Sequence, residues 1–200
     1  MKLRRAGRDA VLVEVDDRAA VQRLYAELRR RRPEGLVDIV PAARTVLLAG
    51  PHAVTVAEAL SSWTLPPTLA LAGDTVEIPV VYDGEDLALV AQHAGRSIRE
   101  VVELVGATDF VAAFTGFAPG FAYLTGLPAA LHMPRRDSPR PRVPAGSLAI
   151  AGEYAGVYPR ATPGGWNLLG HTTASLWDAD RDPPALIAPG TRVRFVEASP

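Results

Sequence analysis

The sequence predicts an α+β protein of two domains: a small α/β sandwich over residues 1–79, then a compact β-barrel with helices packed outside it over residues 80–200. Three observations carry this. Strand-like and amphipathic helical patterns alternate up to about residue 80. After Asp109 helical periodicity disappears, and short apolar pieces alternate with Gly- and Pro-dense turns, as in a closed β-structure. A hydrophobic fraction of 48% with 22% charged residues is enough to bury a core.

Val11 to Val15 alternates with β-formers and runs into Asp16-Asp17, good N-cap chemistry for a helix with Val21, Leu24, Tyr25 and Leu28 on one face. Arg29 to Arg32 place cations at the negative end of that helix, and Pro33 with Gly35 stops it. The arginine run reads as a solvated helix end. Leu36 to Val40 and Thr45 to Ala49 suit an antiparallel hairpin. A second helix puts Val56, Leu60 and Trp63 on one face behind Thr55, and Pro66-Pro67 ends it. With Asp74 to Val81 as a further strand, the order is β-α-β-β-α-β, the split pattern of a ferredoxin-like sandwich. The boundary falls near residue 80, after the Ala72-Gly73-Asp74 punctuation.

Beyond it, Asp86 to Ala94 reads as a short helix ended by Gly95. Ser97 and Glu100 form a capping box for a second helix, with Ile98, Val101, Val102 and Val105 aligned. Phe110 to Phe114, Ser147 to Ala151, Ser175 to Trp177 and Arg192 to Val196 are the strand candidates. The Pro-Gly pairs at 119–120, 163–164 and 189–190 favour type II turns.

A net charge of -1 gives no bulk attraction to nucleic acid or to an anionic membrane surface. With no cysteine, thiolate nucleophiles, Cys-ligated zinc and iron–sulfur clusters are excluded. The four histidines lack metal-ligand spacing, so no metal is expected. No apolar run reaches membrane-spanning length and no leader-like segment follows the charged N-terminus, so a cytoplasmic protein is expected.

Three segments could carry chemistry. Gly165-Trp166-Asn167-Leu168-Leu169-Gly170-His171-Thr172 matches a phosphate-binding P-loop except that His171 replaces the lysine; its bulky residues and following Thr172-Thr173 suggest a turn and a strand instead. Arg135, Arg136, Arg140 and Arg142 lie among Pro134, Pro139, Pro141 and Pro144, a stiffened strip that either presents guanidinium forks to a small anion or is a solvated or partner-binding loop. Gly116 to Leu124 crowds Phe117, Phe121 and Tyr123 around a tight turn, which either walls a ligand pocket or closes one end of the barrel. Ser147 is outside any nucleophile elbow and is read as a hydrogen-bonding residue.

Taken in order, GFAPGFAYLTGL (116–127), MPRRDSPRPRVPAGSLAIAG (133–152), YPRATPGGWNLLGHT (158–172) and PGTRVRF (189–195) resemble the KipI family. Its members include the B subunit of 5-oxoprolinase, the first subunit of allophanate hydrolase and an inhibitor of a sporulation histidine kinase. The resemblance implies a cyclophilin-like barrel for the second domain. It also implies a C-type partner of the same barrel type, and joint action with an A-type partner in the ATP-dependent opening of 5-oxo-L-proline to L-glutamate. The family's kinase-inhibitor and allophanate-cleaving roles are the alternatives. Because the chain has no nucleotide motif of its own, ATP is expected to bind only with partners and the isolated chain to be inactive. In this setting Arg140, Arg142 and His171 become the candidate catalytic residues, the two arginines holding an anion. Tyr123, Asn167 and Ser147, with the walls Phe117, Phe121 and Trp166, become the candidate substrate contacts.

Overall fold

The computed structural model describes residues 1–65 and 75–199. The chain divides into two compact units, Met1–Ala72 and Gly73–Pro200. The Pro66-Pro67 and Ala72-Gly73-Asp74 punctuation lies outside the described residues.

In the first unit, β1 (Lys2–Arg5), β2 (Ala10–Glu14), β3 (Asp38–Pro41) and β4 (Thr45–Ala49) form an antiparallel sheet in the order β1-β2-β4-β3. Helix α1 (Arg18–Arg31) begins where expected, with the Asp17 carboxylate accepting from the Ala20 N–H at 2.7 Å. Helix α2 (Ala53–Ala59), extended by a 3-10 turn (Leu60–Ser62), starts two residues before Thr55. Val11, Val13, Leu24, Leu28, Val46 and Leu48 make the core. The arginine run is a helix end held by its own neighbours: Arg30 and Arg31 both donate to Glu27, and Arg31 lies 4.0 Å over the Trp63 ring.

The strand expected to close this sheet does not. Thr75–Val80 (β5) pairs in parallel with β13 (Arg192–Glu197) in the second unit, and β1 takes the edge beside β2. The observed order is therefore β-β-α-β-β-α rather than the ferredoxin-like β-α-β-β-α-β, and β5 falls on the far side of the division expected at residues 79 and 80. Burial accounts for this. Ile78 and Val80 are fully enclosed in the second unit's core, whereas β1 is charged and exposed along its length, as suits a sheet edge.

The second unit is built on a seven-stranded sheet. Besides β5 and β13 it contains β6 (Phe110–Thr115), β7 (Ala122–Thr125), β9 (Ser147–Ala151), β10 (Tyr154–Val157) and β12 (Asn167–His171), in the order β12-β9-β10-β7-β6-β13-β5. Val81 and His171 exchange reciprocal hydrogen bonds of 2.9 and 2.8 Å across the two ends of this order, so the sheet is a nearly closed barrel. Helix α3 (Leu87–Ala94) ends at left-handed Gly95, and α4 (Ile98–Gly106) carries the full Ser97–Glu100 capping box. Both contribute to an interior that includes Phe110 set edge-to-face on Phe195.

Every residue of β9 is buried. Leu148 and Ile150 face the barrel interior, while Ala149 and Ala151 belong to a separate apolar cluster with Phe121, Tyr158 and Trp166. A small second sheet, β8 (Arg140–Val143) with β11 (Thr162–Gly164), contributes Val143 to that cluster. Two of the three Pro-Gly pairs have the left-handed glycine of a type II turn, Gly120 (φ 84°) and Gly190 (φ 92°); Gly164 instead lies in β11. Ser175 to Trp177 is not a strand, having only an isolated bridge from Trp177 to Ala185. Among the described residues, no helix is long and apolar enough to cross a membrane.

Candidate functional site: an aromatic recess beside an arginine strip

A recess of about 130 Å³ opens on this outer cluster, lined by Phe117, Phe121, Tyr123, Arg135, Tyr158, Gly164, Gly165 and Trp166. Phe121 is its hub, with ring centroids 5.1 Å from Tyr123, 5.5 Å from Trp166 and 5.6 Å from Tyr158, all edge-to-face. Such contacts fix ring orientation as well as burying area. Tyr123 is held from behind by stacking on Phe114 at 4.5 Å. Gly164 is required here because a Cβ would lie 2.4 Å from the Tyr158 hydroxyl. At the rim, Phe117 has φ 67° and is 58% exposed, a strained conformation for a bulky residue and one concentrated at functional sites.

The arginine strip reaches the recess through Arg135, whose neighbours are pinned. The Asn167 side-chain amide donates to the Pro134 carbonyl at 3.0 Å, and the Arg136 N–H donates to the Gly165 carbonyl at 2.8 Å. Beneath the strip sits Asp86, only 3% exposed. One of its oxygens accepts from Arg136 and Arg140, each at 2.8 Å, and the other from the Leu168 N–H at 2.7 Å. Burial pushes this carboxyl up, but Arg140, the Leu168 N–H and Arg136 together hold it below the usual aspartate value. Arg140 also reaches Glu85, and its own pKa is raised by Asp86. The Arg136 Nε and Arg140 Nη1 atoms are buried without an acceptor among the described residues.

Of the nine residues singled out from sequence, four meet at this recess: Phe117, Phe121, Tyr123 and Trp166. Arg140 is committed to Asp86 and Glu85, behind the recess rather than in its wall. Arg142 is exposed on β8 and does not line the recess. Asn167 is buried and spends its amide on the Pro134 and Ile150 carbonyls, while the Ser147 hydroxyl donates to the Pro144 carbonyl at 2.9 Å. His171 is at the other end of β12, roughly 13 Å from Asn167 at strand spacing. There it pairs with Asp83 at 2.8 Å beside a different cavity. The P-loop-like segment is a turn into β12, and its backbone N–H groups are spent within the fold, on the sheet and, at Leu168, on the Asp86 carboxylate.

Sequence reasoning passed over three residues. Arg135 was one of four arginines with nothing local to set it apart. Asp86 looked like a helix start, and Tyr158 is brought in by β-pairing alone.

The family of the carboxyltransferase domain, subdomain C and D, matches residues 1–187. A curated Escherichia coli O157:H7 protein, named as the B subunit of 5-oxoprolinase, is 45% identical over 95% of this chain and 93% of its own length. The crystal structure of TTHA0988 superposes with a TM-score of 0.82 at 36% identity, over 96% of this chain and 40% of that one. The Kluyveromyces lactis urea carboxylase shares the fold, with a TM-score of 0.70 at 18% identity over 98% of this chain and 22% of that chain. This chain thus spans less than half of either solved protein. The extent of these matches shows that the protein belongs to the carboxyltransferase family of subdomains C and D, alongside the 5-oxoprolinase B subunits.

Proposed function

We propose that this chain is the B subunit of an ATP-dependent 5-oxoprolinase, opening 5-oxo-L-proline to L-glutamate together with a barrel-type C partner and an A partner. The observation that carries the reading is the recess, about 130 Å³ with aromatic walls and the Arg135 guanidinium at its edge. That volume suits a single small anionic ring and is far below the roughly 300–1,000 Å³ of sites for larger ligands. The nucleotide is therefore held elsewhere, between this chain and its partners or on them.

A five-membered lactam is an unreactive amide. Phosphorylation of its carbonyl oxygen by ATP, which releases ADP, activates the carbon to addition of water. The C–N bond then breaks with protonation of the nitrogen, and hydrolysis of the resulting acyl phosphate releases phosphate and L-glutamate. The charge that develops on the transferred group is one that guanidinium forks stabilise well. Arg142, exposed and without an ion pair among the described residues, is available for that role when a partner covers it, and Arg140 holds the strip in place. The names of the curated relatives support the B-subunit assignment, and a cyclophilin-like barrel and a cytoplasmic location belong to the same proposal.

The test is co-expression with the partner subunits and measurement of ATP-dependent glutamate release from 5-oxo-L-proline. Release is expected from the full assembly and not from this chain alone. Hydrolysis by the isolated chain, or an assembly that cleaves allophanate and leaves 5-oxo-L-proline intact, would overturn it.

A further inference from the structure

Arg135 differs from the other arginines of its strip. Arg136 and Arg140 are spent on Asp86, whereas no carboxylate among the described residues pairs with Arg135, although it lines the recess. Its position is nonetheless fixed. The Asn167 amide holds the residue before it, and the residue after it is held twice, by the Gly165 carbonyl and by Asp86. A long cation on a clamped backbone costs less ordering entropy on binding than one on a free loop.

Tyr158 is the matching neutral group. It is 2% exposed, and its backbone is held at both atoms: its N–H donates to the Ser147 carbonyl at 3.0 Å and its own carbonyl accepts from the Gly146 N–H at 2.7 Å. Burial keeps the phenol protonated by pushing its pKa up, opposed by a hydrogen bond from the Trp166 backbone and by the charge of Arg135. A hydroxyl that accepts an N–H still has its own proton to donate. Gly164 packs directly against this hydroxyl, where a Cβ would lie 2.4 Å away, so a glycine there lets β11 close on the ring without displacing it from the recess.

We propose that Arg135 and Tyr158 form a two-point subsite for a small cyclic carboxylate, Arg135 taking the carboxylate and the Tyr158 hydroxyl donating to the ring carbonyl. Phe121, Tyr123 and Trp166 enclose the ring between these points. The subsite rests on the 5-oxoprolinase reading for its natural ligand, and its geometry makes a separate claim: charge is read at one end and the carbonyl at the other.

Titration calorimetry on the reconstituted assembly, without ATP, tests this with three probes. 5-Oxo-L-proline has both groups, cyclopentanecarboxylate only the carboxylate, and 2-pyrrolidinone only the lactam carbonyl. Arg135→Ala is expected to weaken 5-oxo-L-proline and cyclopentanecarboxylate by about tenfold to a hundredfold, the loss of a charge-assisted hydrogen bond, and to leave 2-pyrrolidinone unchanged. Tyr158→Phe is expected to weaken 5-oxo-L-proline and 2-pyrrolidinone by roughly twofold to tenfold and to leave cyclopentanecarboxylate unchanged. Arg135→Lys, which keeps charge but loses the fork, is expected to recover part of the loss. Equal weakening of all three probes by either variant, or none, overturns the subsite. If the wild-type assembly releases no glutamate with ATP, the functional reading falls, while the probe pattern still decides the subsite.

Discussion

Asp86 accepts three hydrogen bonds on two oxygens in a site closed to water, and two of the donors carry full charges. Removing Asp86 leaves the Leu168 N–H and the half-buried Arg136 without this acceptor and Arg140 with only the exposed Glu85, which costs more than the intact group contributes. Asp86→Ala is therefore expected to lower unfolding stability by about 3–5 kcal/mol, read as a fall in the urea midpoint at constant slope; a loss below about 1 kcal/mol would mean that water reaches the site freely. The pH dependence has a definite sign. The folded carboxyl titrates below the ordinary aspartate value, so its contribution is complete above about pH 4 and is lost as pH falls through the depressed folded value. Asp86→Asn removes that titration and is expected to flatten the acid limb of stability against pH; an unchanged limb in the variant would assign it to other carboxylates. In the sequence the four arginines within eight residues read as a unit. Nothing local says that Arg136 and Arg140 turn to Asp86, some fifty residues away in the chain, while Arg135 turns to the recess, because only the folded register distinguishes them.

Elements governed by local chemistry were the legible ones. The α4 N-terminus follows from Ser97 and Glu100 alone: the Ser97 hydroxyl accepts from the Glu100 N–H at 3.3 Å, and the Glu100 carboxylate accepts from the Ser97 N–H at 2.8 Å. Ser97→Ala is expected to cost about 1 kcal/mol, with Ser97→Asp restoring most of it; equal midpoints for wild type and Ser97→Ala in thermal unfolding would show the cap to be redundant. The strands β1, β8 and β11 were not legible for the opposite reason. β1 is a charged edge with no apolar alternation, and β8 and β11 are proline-bearing segments whose pairing is with each other across an intervening hairpin. Their signal lies in the partner strand. The aromatic turn falls between these cases: its crowding of Phe117, Phe121 and Tyr123 was plain, but which outer strands would cover it was not.

At the scale of the barrel, closure depends on the approach of β12 to the segment after β5. Val81 and His171 exchange two hydrogen bonds, and the Gly84 and Asp86 N–H groups continue the pairing to the Leu169 and Leu168 carbonyls, each at 3.1 Å. The same seam sets Asp86 under the arginine strip, so closing the sheet and presenting Arg135 are one structural event. Gly170 is the residue that permits it, since a Cβ there would lie 2.2 Å from the Val81 carbonyl oxygen, a contact with backbone that no rotamer relieves. Gly170→Ala is expected to open the seam locally and to cost about 1–3 kcal/mol, as overpacking does. Hydrogen exchange gives the sharper reading. The amides of Val81, His171, Gly84 and Asp86 should exchange faster in the variant, while those of β6 and β7, paired with each other away from the seam, keep their protection. In the assembled enzyme, affinity for 5-oxo-L-proline should fall with them, because Asp86 moves with the seam. Unchanged exchange at Val81 and His171 would show that the barrel tolerates the methyl group and that closure is held by other contacts.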